Sequence, residues 1–121
     1  MGDAPKAYTR PLTWPFVIEV LQTRLGMWVG RPTYERAIAL VIGFDMAQPE
    51  SINQRMQSRV SQRRNTGSIS WPSALLEEAI GDEPRTSRDL GPLTPEQDAR
   101  AIDLLARELR AVLREADVEP T

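Results

Sequence analysis

Apolar residues recur three and four positions apart along most of this chain, which is the periodicity of amphipathic α-helices. The first such segment begins after Thr13, a residue suited to be an N-cap, has Pro15 in its first turn, and ends near Gly26. A short apolar connector bounded by Gly26 and Gly30 comes next. The pattern therefore predicts one helix and a tight apolar link to a second.

The second helix is predicted to begin after Thr33, another suitable N-cap, and to end at about Ala47. Its middle, residues 37–44, is apolar on every face. A helix of that kind has to be surrounded by other elements. We therefore expect a buried central helix over about residues 34–47.

Two shorter helices are indicated in the middle of the chain. Residues 71–80 lie between a cap at Ser70 and Gly81, which has the usual C-terminal role of glycine. Residues 52–64 carry a narrow apolar stripe at four-residue spacing, made up of Ile52, Met56 and Val60. A second copy of the chain covering this stripe would give a homo-oligomer.

The last helix has the strongest apolar period and runs from Pro95 to about Ala116. Thr94 and Gln97 have the spacing of a capping box, with Pro95 at the first helical position. No segment alternates as a strand would. The pattern predicts an all-α fold, a compact bundle of four or five helices with a buried central helix (about 34–47) and a long C-terminal helix (about 95–116).

The length of 121 residues suits one domain, which we assign to residues 13–117. Residues 1–12 are polar, contain two prolines, and are expected to form a loose N-terminal arm. Residues 82–93 are predicted to be a polar, mobile loop. Residues 118–121 are left as a C-terminal tail.

The chain contains no Cys and no His, which removes most catalytic chemistry. Disulfide scaffolds, thiol nucleophiles, imidazole catalysis and the usual zinc sites are excluded. The only lysine, Lys6, lies in the arm, and neither a P-loop nor a G-x-G-x-x-G pattern occurs. We therefore predict no enzyme activity, no cofactor and no metal. With no apolar run near roughly 20 residues and no secretory signal, we expect a cytoplasmic protein that does not enter a membrane.

Charge is divided between the two halves of the chain. Residues 1–64 hold nine basic and five acidic side chains, whereas residues 65–121 hold six and twelve. The predicted helix 52–64 of the basic half carries a row of arginines, and no acidic residue lies between Ser51 and Leu76. This arginine row is made up of Arg55, Arg59, Arg63 and Arg64. Three interpretations stay open: salt bridges to the acidic half or simple solvation, a protein interface, and a face that follows nucleic-acid phosphates.

Two further features are candidates for a partner interface. Trp28 lies in a predicted turn between two glycines, where a large aromatic either fills the core or stands exposed as an interface anchor. The second feature is a set of acidic side chains in and after the helix 71–80. They are either ordinary solvated surface or a face that mimics or blocks an anionic ligand site on a partner. The set is Glu77, Glu78, Asp82, Glu83 and Asp89.

Residues 20–30 read V-L-Q-T-R-L-G-M-W-V-G. This stretch resembles a recurring bacterial pattern in which a helix ends in Arg-Pro-Gly-Met-Tyr-(Ile/Leu)-Gly, with Leu25 here for Pro and Trp28 for Tyr. The pattern occurs in the ATPase domain of type II topoisomerases, which requires a much longer chain, a mixed sheet and an ATP-contacting motif that this sequence lacks. It also occurs in small bacterial proteins, some of them immunity-like partners of toxins. These proteins resemble the chain further in an apolar helix that ends in Gly-Tyr, matched here by Gly43 and Phe44. They also have a later short helix that a Trp opens, as Trp71 does here.

The resemblance implies a non-catalytic protein and brings no catalytic residues. Our leading hypothesis is a protein-interaction domain acting on another protein, such as an immunity-like inhibitor of a bacterial toxin. The alternatives are a nucleic-acid-associated module that uses the arginine row and a homo-oligomeric structural protein.

Overall fold

Six α-helices make up the described part of the chain in a computed structural model that describes residues 13–64, 69–85 and 89–118, with α6 side chains as far as Glu115. No strand occurs in these ranges. The all-α prediction is confirmed, whereas the expected arm (1–12) and most of the expected tail (119–121) lie outside the described residues. The helices are α1 (Trp14–Thr23), α2 (Leu25–Val29), α3 (Tyr34–Met46), α4 (Ile52–Arg64), α5 (Trp71–Ile80) and α6 (Pro95–Val118).

The long helix α6 lies in the middle of the bundle and contacts α1, α3, α4 and α5. The middle of its apolar face is enclosed by these neighbours, as shown by Leu105, Leu109 and Val112, each at most 1% exposed. An amphipathic helix of this length offers the largest continuous apolar surface in the chain, so the other helices pack around it.

Helix α3 is buried along one side rather than on every face. Tyr34, Ile38 and Val41 lie in the core, while Ala39 and Met46 are exposed. Because α6 takes the central position, α3 has neighbours on one side only. Its apolar sequence therefore overstated its burial.

The helix starts that the sequence predicts from local chemistry are confirmed at three places. The Thr13 hydroxyl accepts a hydrogen bond from Phe16 N, and the Thr33 hydroxyl accepts one from Arg36 N. Thr94 and Gln97 form the reciprocal pair of a capping box, with Gln97 N donating to Thr94 Oγ1 and Thr94 N donating to Gln97 Oε1, each at 3.1 Å.

The predicted apolar connector after α1 is wrong in one respect, because it forms the five-residue helix α2. Helix α1 ends at Thr23, earlier than Gly26, and Gly26 lies inside α2. Gly30 ends α2 with a φ of 84°, and a Cβ placed there would lie 2.6 Å from Arg36 Nη1, which itself donates to Val29 O. Glycine is therefore required at this turn.

The starts of α4 and α5 depend on side chains from other helices. Buried Asp45, near the end of α3, accepts hydrogen bonds from Ile52 N at 2.8 Å and Asn53 N at 3.1 Å. The predicted side-chain cap at Ser70 is wrong: its hydroxyl makes no cap bond, and Gln57 of α4 accepts from Trp71 N at 2.8 Å instead. Gln57 is rigidly placed for this because its amide nitrogen donates to Ile69 O.

The apolar stripe of α4 is covered within the chain itself. Ile52, Met56 and Val60 are all at most 5% exposed and belong to the main core cluster. The sequence analysis left open a homo-oligomer in which a second copy covers this stripe. Because the stripe is already buried within one chain, it offers no surface to a second copy.

Candidate functional site

The arginine row of α4 is engaged by carboxylates of α5 and α6. Arg59 Nε lies 2.6 Å from Glu108 Oε2, and Arg59 also pairs with Glu115. Arg63 contacts the same Glu108 oxygen at 2.9 Å and Glu78 at 3.1 Å. Arg64 lies 3.0 Å from Glu77. These contacts join the two oppositely charged halves of the chain, as one of the three interpretations proposed.

Glu108 is the centre of this ionic network, and the sequence analysis did not single it out. Only 6% of the residue is exposed, and it binds two guanidinium groups through one oxygen. Burial acts to lower the pKa of Arg63, but hydrogen bonds and charge attraction from Glu108 and Glu78 outweigh it and raise that pKa above its ordinary value. The network directs the guanidinium groups of Arg59 and Arg63 toward the carboxylates of α5 and α6.

Arg55, the fourth member of the row, lies half-buried on α4. It lines a shallow polar groove of about 970 Å³ together with Arg59, Arg63 and Glu115. Glu115 also lines this groove and pairs with Arg59, and Arg63 is paired with carboxylates behind it, so the groove is not a bare cationic track for phosphates.

The predicted acidic surface is divided between two places. Glu77 and Glu78 belong to the ionic network, whereas Glu83 forms a two-pronged pair with Arg100 at 2.5 and 2.6 Å. The Arg100 pair and a hydrogen bond from Gln97 lower the pKa of Glu83. Asp82 and Asp89 are exposed.

The loop after α5 is held against α6 at its first residues. Gln97 Nε2 donates to Pro84 O at 3.1 Å and to Glu83 at 3.3 Å. Leu90 and Leu93 pack against the core from the other end of the loop. Residues 86–88 of the predicted mobile loop lie outside the described residues.

Trp28 is half exposed, at 50%, on the short helix α2. Its ring meets the Phe16 ring edge-to-face, with centroids 5.8 Å apart, so one edge is fixed while the rest faces solvent. Its neighbour Met27 is 84% exposed and was not singled out from the sequence. Two adjacent large apolar side chains are therefore presented by one short helix.

A groove of about 1080 Å³ lies beside Met27, between the end of α1, helix α2, the loop to α3 and the first turns of α6. Its apolar lining comes from Leu21, Leu25, Met27, Pro32, Leu93 and Ile102. We call Met27, Trp28 and this groove the α2 surface. Single exposed apolar side chains are common on protein surfaces. Two of them beside an apolar groove form a larger apolar patch, which is typical of the core of a protein interface.

Two carboxylates line the groove, and both have partners within the protein. Asp98 is buried and accepts a hydrogen bond from Tyr34 N at 2.7 Å, and Asp103 pairs with Arg107. Burial raises the pKa of Asp98; the bond from Tyr34 opposes that rise and the charge of Glu35 adds to it. Asp98 therefore links α6 to the start of α3, whereas Asp103 is held in an exposed i, i+4 pair within α6.

The described residues hold no group of three or more His, Cys, Asp or Glu side chains that could bind a metal ion. None of the described helices is long and apolar enough to cross a membrane. Comparisons with protein-family models, with curated proteins and with solved structures found no match to this chain.

Proposed function

We propose that this protein is a non-catalytic protein-binding domain that receives its partner on the α2 surface. The observation that carries the proposal is the exposure of Met27 (84%) and Trp28 (50%) side by side next to an apolar groove. Met and Trp are enriched in protein interfaces because they bury a large apolar area in a single side chain.

The resemblance seen in the sequence supports the same class of function. The residues that carry it, 24–30, are those of α2 and its two ends. An immunity-like inhibitor of a bacterial toxin would be one such binding protein, and we keep it as the specific form of the proposal.

The other predicted surfaces support binding less well. A row of arginines offers phosphates little when carboxylates of the same chain already engage three of its members, Arg59, Arg63 and Arg64. Glu77 and Glu78 are likewise paired with arginines of the same chain, so they are less suited to mimic or block an anionic ligand site on a partner. Covering the α2 surface, by contrast, removes apolar side chains from water, which favours binding.

The test compares two equally exposed methionines. Tagged wild type, Met27→Gln and Met46→Gln are used to capture partners from host lysate, each with and without nuclease treatment. Met46 is 82% exposed at the end of α3 and does not line the groove. We expect one protein to be recovered with wild type and Met46→Gln and depleted with Met27→Gln. Equal recovery by all three would contradict the proposed surface, and recovery that requires intact nucleic acid would favour the arginine row.

A further inference from the structure

The charges around the groove indicate what kind of segment fits it. On the acidic side, Asp98 and Asp103 are engaged by Tyr34 N and by Arg107. On the basic side, Arg24 lies 2.8 Å from Glu19. The groove's remaining charged residue is Arg31, which is exposed in the loop before α3.

Arg31 makes no side-chain hydrogen bond or ion pair within the part of the chain that the structure describes. In the free protein, water solvates its guanidinium group. A partner that covers the apolar lining also removes part of this water, and an unpaired cation at an apolar contact is costly. A carboxylate on the partner removes that cost and adds a charge-assisted hydrogen bond.

Resting on the proposed function, we infer that the groove receives an apolar peptide segment of a partner protein that carries an Asp or Glu positioned to pair with Arg31. A macromolecular partner fits better than a small amphipathic acid. A small ligand in the groove would contact Met27, which lines it, but would leave Trp28, which does not, in water, whereas a protein segment covers Trp28 together with the groove.

The test selects peptides from a phage-displayed random library of about 16 residues, a length of roughly 24 Å as a helix. The baits are wild type, Arg31→Glu, Met27→Gln and Arg114→Glu. Arg114 is an exposed arginine of α6 that does not line the groove, so it controls for net charge.

Wild type and Arg114→Glu are expected to enrich apolar peptides that contain Asp or Glu, and Arg31→Glu to enrich apolar peptides that contain Lys or Arg. A synthetic peptide from the wild-type selection should bind Arg31→Gln about two- to fivefold more weakly, as expected for one exposed ion pair, with the difference shrinking at high salt.

The other outcomes separate this inference from the proposed function. Apolar peptides without any acidic preference, selected equally by wild type and Arg31→Glu, would overturn the inference and leave the α2 surface as a binding site. If no peptide distinguishes wild type from Met27→Gln, the proposed function fails as well. A dimer of the free protein in sedimentation velocity, lost in Met27→Gln, would overturn the inference by assigning the groove to a second copy.

Discussion

Replacing Glu108 by Gln tests directly whether the arginine row is a structural network. The carboxylate is 6% exposed and accepts from Arg59 at 2.6 Å and Arg63 at 2.9 Å. Gln has nearly the same shape, and its one amide oxygen can occupy the position of Oε2, but it carries no charge. The substitution therefore removes the electrostatic contribution without creating a cavity.

The magnitude follows from what each arginine retains. Hydrogen bonds to charged groups contribute about 1.5–3 kcal/mol each, so two such bonds set an upper limit of roughly 3–6 kcal/mol. The side chains of Arg59 and Arg63 are 29% and 37% exposed, and each keeps another carboxylate, Glu115 and Glu78 respectively. Water and these partners compensate for much of the loss. We expect the free energy of unfolding to fall by about 2 kcal/mol, or the Tm by roughly 8 °C.

The assay is urea unfolding followed by tryptophan fluorescence, since Trp71 is 2% exposed and will report loss of the core. The midpoint should fall while the m-value stays unchanged. Asp103→Asn is the matched control, because it removes one exposed i, i+4 partner of Arg107 and should cost less than about 0.5 kcal/mol. Equal midpoints for Glu108→Gln and Asp103→Asn would refute the structural assignment of the arginine row.

Three further predictions concern the fold that presents the α2 surface. Gly30→Ala should lower the free energy of unfolding by about 1–2 kcal/mol, because Gly30 has a positive φ and an added Cβ would contact Arg36. Gly43→Ala in α3 should raise it by about 0.5–1 kcal/mol, because an added Cβ there meets open space. Denaturant midpoints that move in the same direction for both variants would contradict this. Asp45→Ala should lower the free energy of unfolding by about 2 kcal/mol, because it leaves two amide groups of α4 without acceptors. Amide hydrogen exchange should show the first turn of α4 opening, and unchanged protection there would count against the cap. Because the pKa of Glu83 is lowered in the folded state, its stabilisation is fully present above the ordinary pKa that Glu has in the unfolded chain and is lost as the pH falls through the lower folded-state pKa. Glu83→Gln should therefore flatten the acid limb of the stability curve, and an unaltered acid limb would contradict the pairing with Arg100.

The sequence predicted those parts of the fold that depend on neighbouring residues. The caps at Thr13, Thr33 and Thr94 are confirmed because each hydroxyl accepts a hydrogen bond from the amide three positions ahead. The caps supplied by Asp45 and Gln57 were not foreseen, because those side chains reach helices that begin seven and fourteen positions later. Such contacts exist only once the helices have packed.

The site was harder to predict for the same reason. Glu108 occupies a position of the apolar period of α6, three residues after Leu105 and four before Val112, and a charged residue there is the one signal that pointed to a buried ion pair. The exposure of Met27 carried no such signal. It follows from the turn at Arg24, where the chain leaves α1 and begins α2 with Leu25 facing inward and Met27 outward.

The most direct test of the central claim is site-specific photo-cross-linking in host cells, with a benzophenone amino acid placed at Met27 or, as control, at exposed Ser58 on the arginine-row helix. The α2 surface predicts one protein cross-linked in high yield from position 27 and not from position 58. Cross-linking from position 58 alone, to protein or to nucleic acid, would contradict it and return the binding role to the arginine row.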